Sequence, residues 1–370
     1  MEDVIVVGAG ITGCIIARKL ADAGYWVTLY DGNSRAGGAC SDIYAPETGV
    51  YHQNHGSHIF HTNDEEVYNY LSQFTQWLPY QHKVKALVNG NLIPVPYNLN
   101  SLEQDIALDS GIKQEIFNAL DLEKVPYGST FILKELLNSE KSAFRFLGDY
   151  IKKTIFEYYS LKQWGEVPSD KVIERVAAFR CSRDDRYFLD KFQGIPDKGF
   201  TKMLEAIINR PNIKVLTRES FYLAKDTKDF IFYTGSIDDL LDYKFGPLPY
   251  RTCKFTNVGC RAIKSQELAV INYTTNYDFT RSHDYSHYMP GSESYITLEH
   301  SSDWSKDLSI TPRYYPIDSE QSKRMYEAYK KELEEQHPNI ILAGRLGTYK
   351  YLNMDQAVRQ AMDIVKDFLT

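Results

Sequence analysis

Gly8, Gly10 and Gly13, followed downstream by Asp31, are residue types at a spacing that can hold a dinucleotide. Gly8 permits a tight turn, Gly10 lets the backbone approach a pyrophosphate, and Gly13 lets a helix pack closely on the strand before it. An acid closing the next strand accepts hydrogen bonds from a ribose hydroxyl. The elements that must position these residues are legible around them. Val4 to Val7 is a continuous β-branched run, as expected of a parallel strand buried on both faces. Ile11 to about Ala23 reads as a helix with Ile15, Ile16 and Leu20 on its apolar side and Gly24 as its C-terminal cap. Its N-terminus would hold the phosphates. Trp26 to Tyr30 reads as the second strand, ending in Asp31.

The residues after the second strand separate NAD from FAD. Arg35-Ala-Gly37-Gly38 resembles the R-x-G-G continuation of FAD-binding flavoproteins of the amine-oxidase and hydroxylase type, where it approaches the cofactor pyrophosphate and isoalloxazine. At the far end of the chain, Asn339 to Ala343 reads as a buried strand and Gly344-Arg345 as a turn. Met354 to Phe368 reads as an amphipathic helix with Ala357, Val358, Ala361, Ile364, Val365 and Phe368 on one face. These elements could return to complete the cofactor domain, with Arg345 facing phosphates; a surface salt bridge is the alternative for that arginine.

The chain has 370 residues, 43% of them hydrophobic, enough for two or three domains. Its 42 basic and 49 acidic residues give a net charge of -7, which argues against a broad nucleic-acid surface but leaves room for a local basic pocket. Cys14, Cys40, Cys181, Cys253 and Cys260 are odd in number and form no C-x-x-C pair, so they read as reduced thiols and not as disulfides or a metal site. The N-terminus lacks the charged and apolar regions of a signal peptide, and no stretch reaches 18 uncharged apolar residues, so a soluble, cytoplasmic protein without membrane insertion is expected.

Between the ends the pattern changes. Ser101 to Tyr159 is helical in character, broken by Pro126-Tyr-Gly128, whereas Val84 to Pro96 and Thr252 to Ile296 look strand-like. The fold class expected is α/β: a Rossmann-like FAD-binding domain (1–80, 190–245 and 325–370), an inserted helical domain (97–165), and an antiparallel β-sheet domain (81–96, 166–189 and 246–324). In the last inserted helix Phe144, Leu147, Ile151, Ile155 and Tyr158 step as a buried stripe. Phe156 and Tyr159, three residues apart on a neighbouring face, either present an aromatic surface to a flat base or are ordinary core aromatics.

"YSLKQWG" (Tyr159 to Gly165) resembles the Y-T-x-K-Q-W-G segment of UDP-galactopyranose mutases. "GSHIFHTN" (from Gly56), "LIPVPYNLN" (from Leu92), "RYFLDKFQGIPDKGFTKM" (from Arg186), "RYYPID" (from Arg313) and "AGRLGTYKYLNMDQAV" (from Ala343) agree in order and spacing, so the resemblance runs nearly end to end. It implies FAD, active in its reduced form, whose N5 attacks the sugar's anomeric carbon, displaces the nucleoside diphosphate and lets the ring open and reclose as a furanose. By the same resemblance Arg180 and Arg281 grip the diphosphate, Tyr315 and Tyr351 hydrogen-bond it, Phe156 and Tyr159 flank uracil, and Trp164 borders the substrate pocket. Gly8, Gly10, Gly13, Asp31, Gly37 and Gly38 hold FAD, with His58, His61, Arg345 and Met354 beside it, and Glu299 is an acid near the active site. Taken singly, each histidine also fits a satisfied core or surface position. The residues Gly165 to Val176 match a loop that closes over the nucleotide; a static connection is the alternative.

The sequence departs from the bacterial pattern in several places. A companion arginine before Arg180 is missing or shifted to Arg175, Arg183 and His82-Lys83-Val84 replace family residues, and Leu352 and Asn353 stand where a tyrosine and an aspartate are usual. These changes bear on sugar choice more than on reaction class. The resemblance further implies a UDP-sugar substrate, an external reductant such as NAD(P)H or a reductase, a homodimer, and furanose supply for cell-wall or lipopolysaccharide glycans. The competing readings are a mutase of UDP-N-acetylgalactosamine or a deoxyhexose nucleotide, an amine-oxidase-type oxidoreductase, and a flavoprotein that has lost its reaction.

Overall fold

The computed structural model describes residues 3–223, 229–259, 265–305 and 312–370, so Cys260 and part of the strand-like stretch around it lie outside the described residues. A five-stranded parallel sheet forms one layer, in the order Ile213–Thr217, Trp26–Asp31, Asp3–Val7, Phe230–Tyr233 and Ile340–Leu342. The helices Ile11–Asp22 and Met354–Leu369 pack on it and on each other, burying Val4, Val6, Ile15, Ile16, Leu20, Val358 and Ala361 in a single core. Ile5 and Val7 are half-buried, so the apolar run is continuous although one sheet face is covered less completely than the other. Gly344-Arg345 opens a one-turn helix, Gly344–Gly347, where a simple turn was expected. Gly344 at φ +74 brings this turn against Thr12 in the first helix; a Cβ there would lie 3.2 Å from the Thr12 hydroxyl.

A seven-stranded sheet forms the second layer, in the order Tyr315–Pro316, Tyr250–Asn257, Ile296–Asp303, Arg281–Asp284, Val270–Tyr273, Val84–Val88 and Asn91–Val95. Its pairings are antiparallel except for Val84–Val88 with Val270–Tyr273. The strand Ala177–Arg180 does not join it. That strand pairs with Thr130–Ile132 and Tyr97–Asn98 of the helical region.

The helical region is built from Leu99–Gln104, Ser110–Leu122, Leu133–Leu137, Ser142–Ile151 and Tyr158–Trp164, around a core that includes Leu102, Ile116, Leu136 and Phe144. Phe144, Leu147 and Ile151 are buried as their spacing predicts, but Tyr158 is 52% exposed. The cause is a π-helical turn over Lys152–Glu157, which the α-period cannot register. An i→i+5 turn holds an extra residue, so every position beyond it is rotated relative to the stripe before it. Ser160 and Gln163 become the buried residues of the last segment.

Candidate active site

The seven-stranded sheet sets the centre of the site. Arg281 and Glu299 are direct partners across the antiparallel pair Arg281–Asp284 and Ile296–Asp303, so their side chains share one face. The Arg281 guanidinium lies 3.6 Å from Glu299 Oε1, and Glu299 Oε2 lies 2.9 Å from His283 Nε2. Burial would push the Glu299 carboxyl up, yet Arg281 and His283 outweigh it and bring the pKa down to about 2. Burial likewise works against the charge on Arg281, and Glu299 reverses this, holding its pKa well above the ordinary value. An ionised pair, its carboxylate buried and its guanidinium 27% exposed, is therefore fixed at neutral pH.

Aromatic rings surround this cation. Arg281 sits 5.7 Å from the centre of the Tyr159 ring, and Tyr315 and Tyr187 both lie within its electrostatic reach. Burial raises the phenol pKa of all three, so they are neutral hydroxyls able to donate. Arg180, at the end of its strand, is buried and shares Tyr187 as a neighbour; its guanidinium donates to the Arg186 carbonyl at 2.7 Å. The Nε–H groups of Arg180 and of Arg281 are buried without a partner among the described residues. Two guanidiniums with donors left over, in a tyrosine-lined setting, form a receptor for a polyanion.

A second aromatic row leads from this pocket to the nucleotide-binding fold. Trp164, partly exposed, meets Tyr315 at 5.6 Å, and Tyr315 stacks on Tyr351 at 5.8 Å. The Arg345 guanidinium lies 4.8 Å from the Tyr351 ring and donates to the carbonyls of Tyr314 and Leu352. Arg345 is also within electrostatic reach of Cys40 and His58. Met354 begins the last helix and packs against the parallel-sheet core.

The parallel sheet supplies a side-chain-free cradle that fits a dinucleotide. Gly8 adopts φ +98, and a Cβ on Gly13 would come 1.8 Å from the Gly8 carbonyl oxygen. The Gly37-Gly38 segment returns against Gly10, whose Cβ would lie 3.8 Å from the Gly38 Cα, and the Gly37 amide donates to the Ala9 carbonyl. No side chain caps the first helix and no acid lies in its first turn, so its amides are free for phosphate oxygens. Asp31 is buried at the strand end, accepting from the Ala9 amide at 2.6 Å and from Asn33.

His58 donates from Nδ1 to the Gly56 carbonyl at 2.9 Å, and burial draws its pKa down to about 4, so the ring is neutral with Nε2 unprotonated. His61 contacts Asp190 through Nδ1 at 2.7 Å and stacks on Phe188. Phe156 does not join Tyr159: it packs against the helical core, and among the described residues no ring contact links the two. Phe156 lies within the π-turn and Tyr159 in the α-helix beyond it. Arg175 is exposed, and Arg183 points outward into an ion pair with Glu103 at 2.7 Å, so neither supplies a further cation to the pocket.

Three further histidines belong to the site, of which the sequence marks only His82, as a departure from the family pattern. His82 is buried against Phe188 and Tyr187, and burial, with His283 and Arg281 nearby, draws its pKa down to about 3. His55 forms a short hydrogen bond with the Tyr314 hydroxyl. His283 follows Arg281 by two positions on the same strand, and that period places both on one face. The period-2 rule would have found it once the strand was recognised.

Geometry and fold combine a Rossmann-like dinucleotide cradle with a cationic, tyrosine-lined pocket. Comparison with known proteins narrows the class. Residues 154–351 match the family model for UDP-galactopyranose mutase, and residues 6–74 match a NAD(P)-binding Rossmann-like domain. A probable UDP-galactopyranose mutase of Klebsiella pneumoniae is 35% identical, over all of this chain and 95% of that protein. A dTDP-fucopyranose mutase of Escherichia coli is 30% identical, over all of this chain and 99% of that one. A crystal structure of reduced UDP-galactopyranose mutase shares the fold, with a TM-score of 0.73 at 18% identity, covering all of this chain and 96% of that one. The chain belongs to the UDP-galactopyranose mutase family, a family of isomerases, and the match implies a flavin cofactor. Among the described residues no helix is long and apolar enough to cross a membrane.

Proposed function

We propose that this protein interconverts the pyranose and furanose forms of UDP-galactose. The observation that carries the reading is the pair of guanidiniums, Arg180 buried and Arg281 partly exposed, whose buried Nε–H groups are unpartnered among the described residues in a tyrosine-lined pocket. A nucleoside diphosphate carries charge as a ligand and gains more as a leaving group, so fixed cations are worth more in the transition state than in the ground state. In this reading Arg281 and Arg180 hold the diphosphate and Tyr315 and Tyr351 donate to it. Trp164 closes the edge of the pocket, and Tyr159 flanks the base. Glu299 keeps Arg281 charged and oriented. Gly8, Gly10, Gly13, Gly37 and Gly38 take the cofactor backbone, Asp31 the ribose, and Arg345, Met354, His58 and His61 line the flavin side. Reduced FAD, when bound, would supply N5 as the nucleophile toward the anomeric carbon, with the nucleoside diphosphate held by Arg180 and Arg281 as the leaving group.

The same reading includes an external reductant, a homodimer in the cytoplasm, and a furanose donor for surface glycans as its product. A second reading has specific support. The dTDP-fucopyranose mutase aligns over the whole chain, and His82 faces Arg281 where the bacterial pattern has another residue, so a deoxyhexose nucleotide is the alternative substrate. Initial rates with UDP-galactofuranose and dTDP-fucofuranose decide between them. A kcat/KM at least about tenfold higher for the uridine substrate is expected, and the reverse order would transfer the assignment to the deoxy sugar.

A further inference from the structure

We infer that Ser57, His283 and Glu299 form a hydrogen-bonded chain in which His283 is a positioning residue, holding the Glu299 carboxylate toward Arg281 and tying both to the loop that carries His58. This rests on the mutase reading above. His283 is 1% exposed and lies in the middle of the chain. Its Nδ1 accepts from the Ser57 amide at 3.3 Å and from the Ser57 hydroxyl at 2.9 Å. A backbone amide can only donate, so Nδ1 carries no proton and the ring proton sits on Nε2. That proton is donated to Glu299 Oε2 at 2.9 Å. The other carboxylate oxygen faces Arg281 at 3.6 Å and the Cys253 thiol at 3.8 Å, so both oxygens of Glu299 have fixed partners.

The loop end is tied as firmly. Gly56 accepts from His58 Nδ1, the His58 amide donates to the Gln53 side chain, and the Gln53 amide returns to the His58 carbonyl at 2.9 Å. Gly56 adopts φ +80, and a Cβ there would lie 3.0 Å from the Phe255 ring and 3.5 Å from Glu299 Oε2. The loop therefore seats directly on the acid. Besides Glu299 and Arg281, the charged or titratable groups around His283 are His82 and His58, and the Tyr285 ring lies parallel to it at 6.3 Å. Burial draws the imidazole pKa down, in keeping with a neutral ring that accepts on one side and donates on the other.

The test uses FAD-loaded protein. Nitrogen-15 NMR of labelled histidines, with His283 identified by the signals lost in His283→Gln, reads the tautomer without any turnover. A neutral ring protonated on Nε2 is expected, and an Nδ1-protonated or charged ring at neutral pH overturns the chain. His283→Phe keeps the ring volume but can neither accept nor donate; kcat is expected to fall about 10- to 100-fold at unchanged KM. His283→Gln, whose amide can accept from Ser57 and donate to Glu299, is expected to recover to within about threefold of wild type. Wild-type kcat in the Phe variant, or equal loss in both, overturns the positioning role. Should the Phe variant fail to load FAD, Ser57→Ala carries the comparison: a lower kcat at unchanged KM is expected, and an unchanged kcat overturns it. A wild type with the expected tautomer but no activity on any nucleotide sugar counts against the mutase reading alone.

Discussion

Arg281 joins three conditions: a guanidinium mostly withdrawn from solvent, a fixed counter-ion, and a buried Nε–H without a partner among the described residues. Arg281→Ala is expected to keep its flavin absorbance and lose turnover by about a thousandfold or more, because the leaving diphosphate would lose a preorganised cation. Activity within tenfold of wild type would show that the diphosphate lies elsewhere. Glu299 makes a pH prediction. Its carboxyl titrates near the ordinary 4.5 when unfolded and at about 2 in place, so its contribution to stability is complete above about 4.5 and is lost as pH falls toward 2. Glu299→Gln should lower stability at neutral pH by roughly 2–3 kcal/mol, since it leaves Arg281 without its counter-ion, and the gap to wild type should close in acid. A gap that persists at the lowest pH would contradict the ionised pair. The family motifs pointed to Arg281 and Glu299 as residues, but their pairing is a matter of strand register. Two residues distant in sequence become neighbours through one antiparallel alignment, and His283 was missed for the same reason.

Two elements turn the helical region into a delivery device. The π-turn over Lys152–Glu157 rotates the last helical segment so that Tyr159 meets Arg281 and Tyr158 points to solvent. Inserting one alanine after Glu157 should advance the following α-helical segment by about 100° and turn Tyr159 away. Helical circular dichroism is then expected to persist while UDP binding weakens about tenfold or more, in line with the loss of a stacked base; unchanged affinity would remove Tyr159 from the base site. The segment is also moored. Lys162 donates to the carbonyls of Tyr273, Thr275 and Phe279, and Arg251 caps the carbonyls of Lys162 and Gln163. Three carbonyls match the three N–H donors of one ammonium, and they belong to the hairpin that ends in Arg281. Lys162→Met should lower the melting temperature and raise KM for the nucleotide sugar, as measured by thermal unfolding and steady-state rates; unchanged values of both would mean that the hairpin holds itself. Periodicity read the helix before the π-turn correctly and failed after it, because an inserted residue leaves no mark in composition.

Across the whole molecule, the first and last segments of the chain meet in one parallel sheet, and the seven-stranded sheet stands against them with Arg345, Tyr351 and Tyr315 in between. The glycine spacing and terminal acid made the cradle legible, since the close approaches at Gly8, Gly13 and Gly38 tolerate no side chain. The tyrosine lining was less so: tyrosines are common throughout this chain, and only the tertiary fold selects the few that face a cation. The function proposed for the protein is a flavin-dependent interconversion of the pyranose and furanose forms of a nucleotide sugar. The measurement that tests it most directly is chromatographic conversion of UDP-galactofuranose to UDP-galactopyranose by the purified FAD-loaded protein, with and without dithionite. Conversion that appears on reduction and is absent from the oxidised protein is the predicted result. No conversion by fully reduced, FAD-loaded protein that binds UDP, or equal conversion in both states, would contradict it.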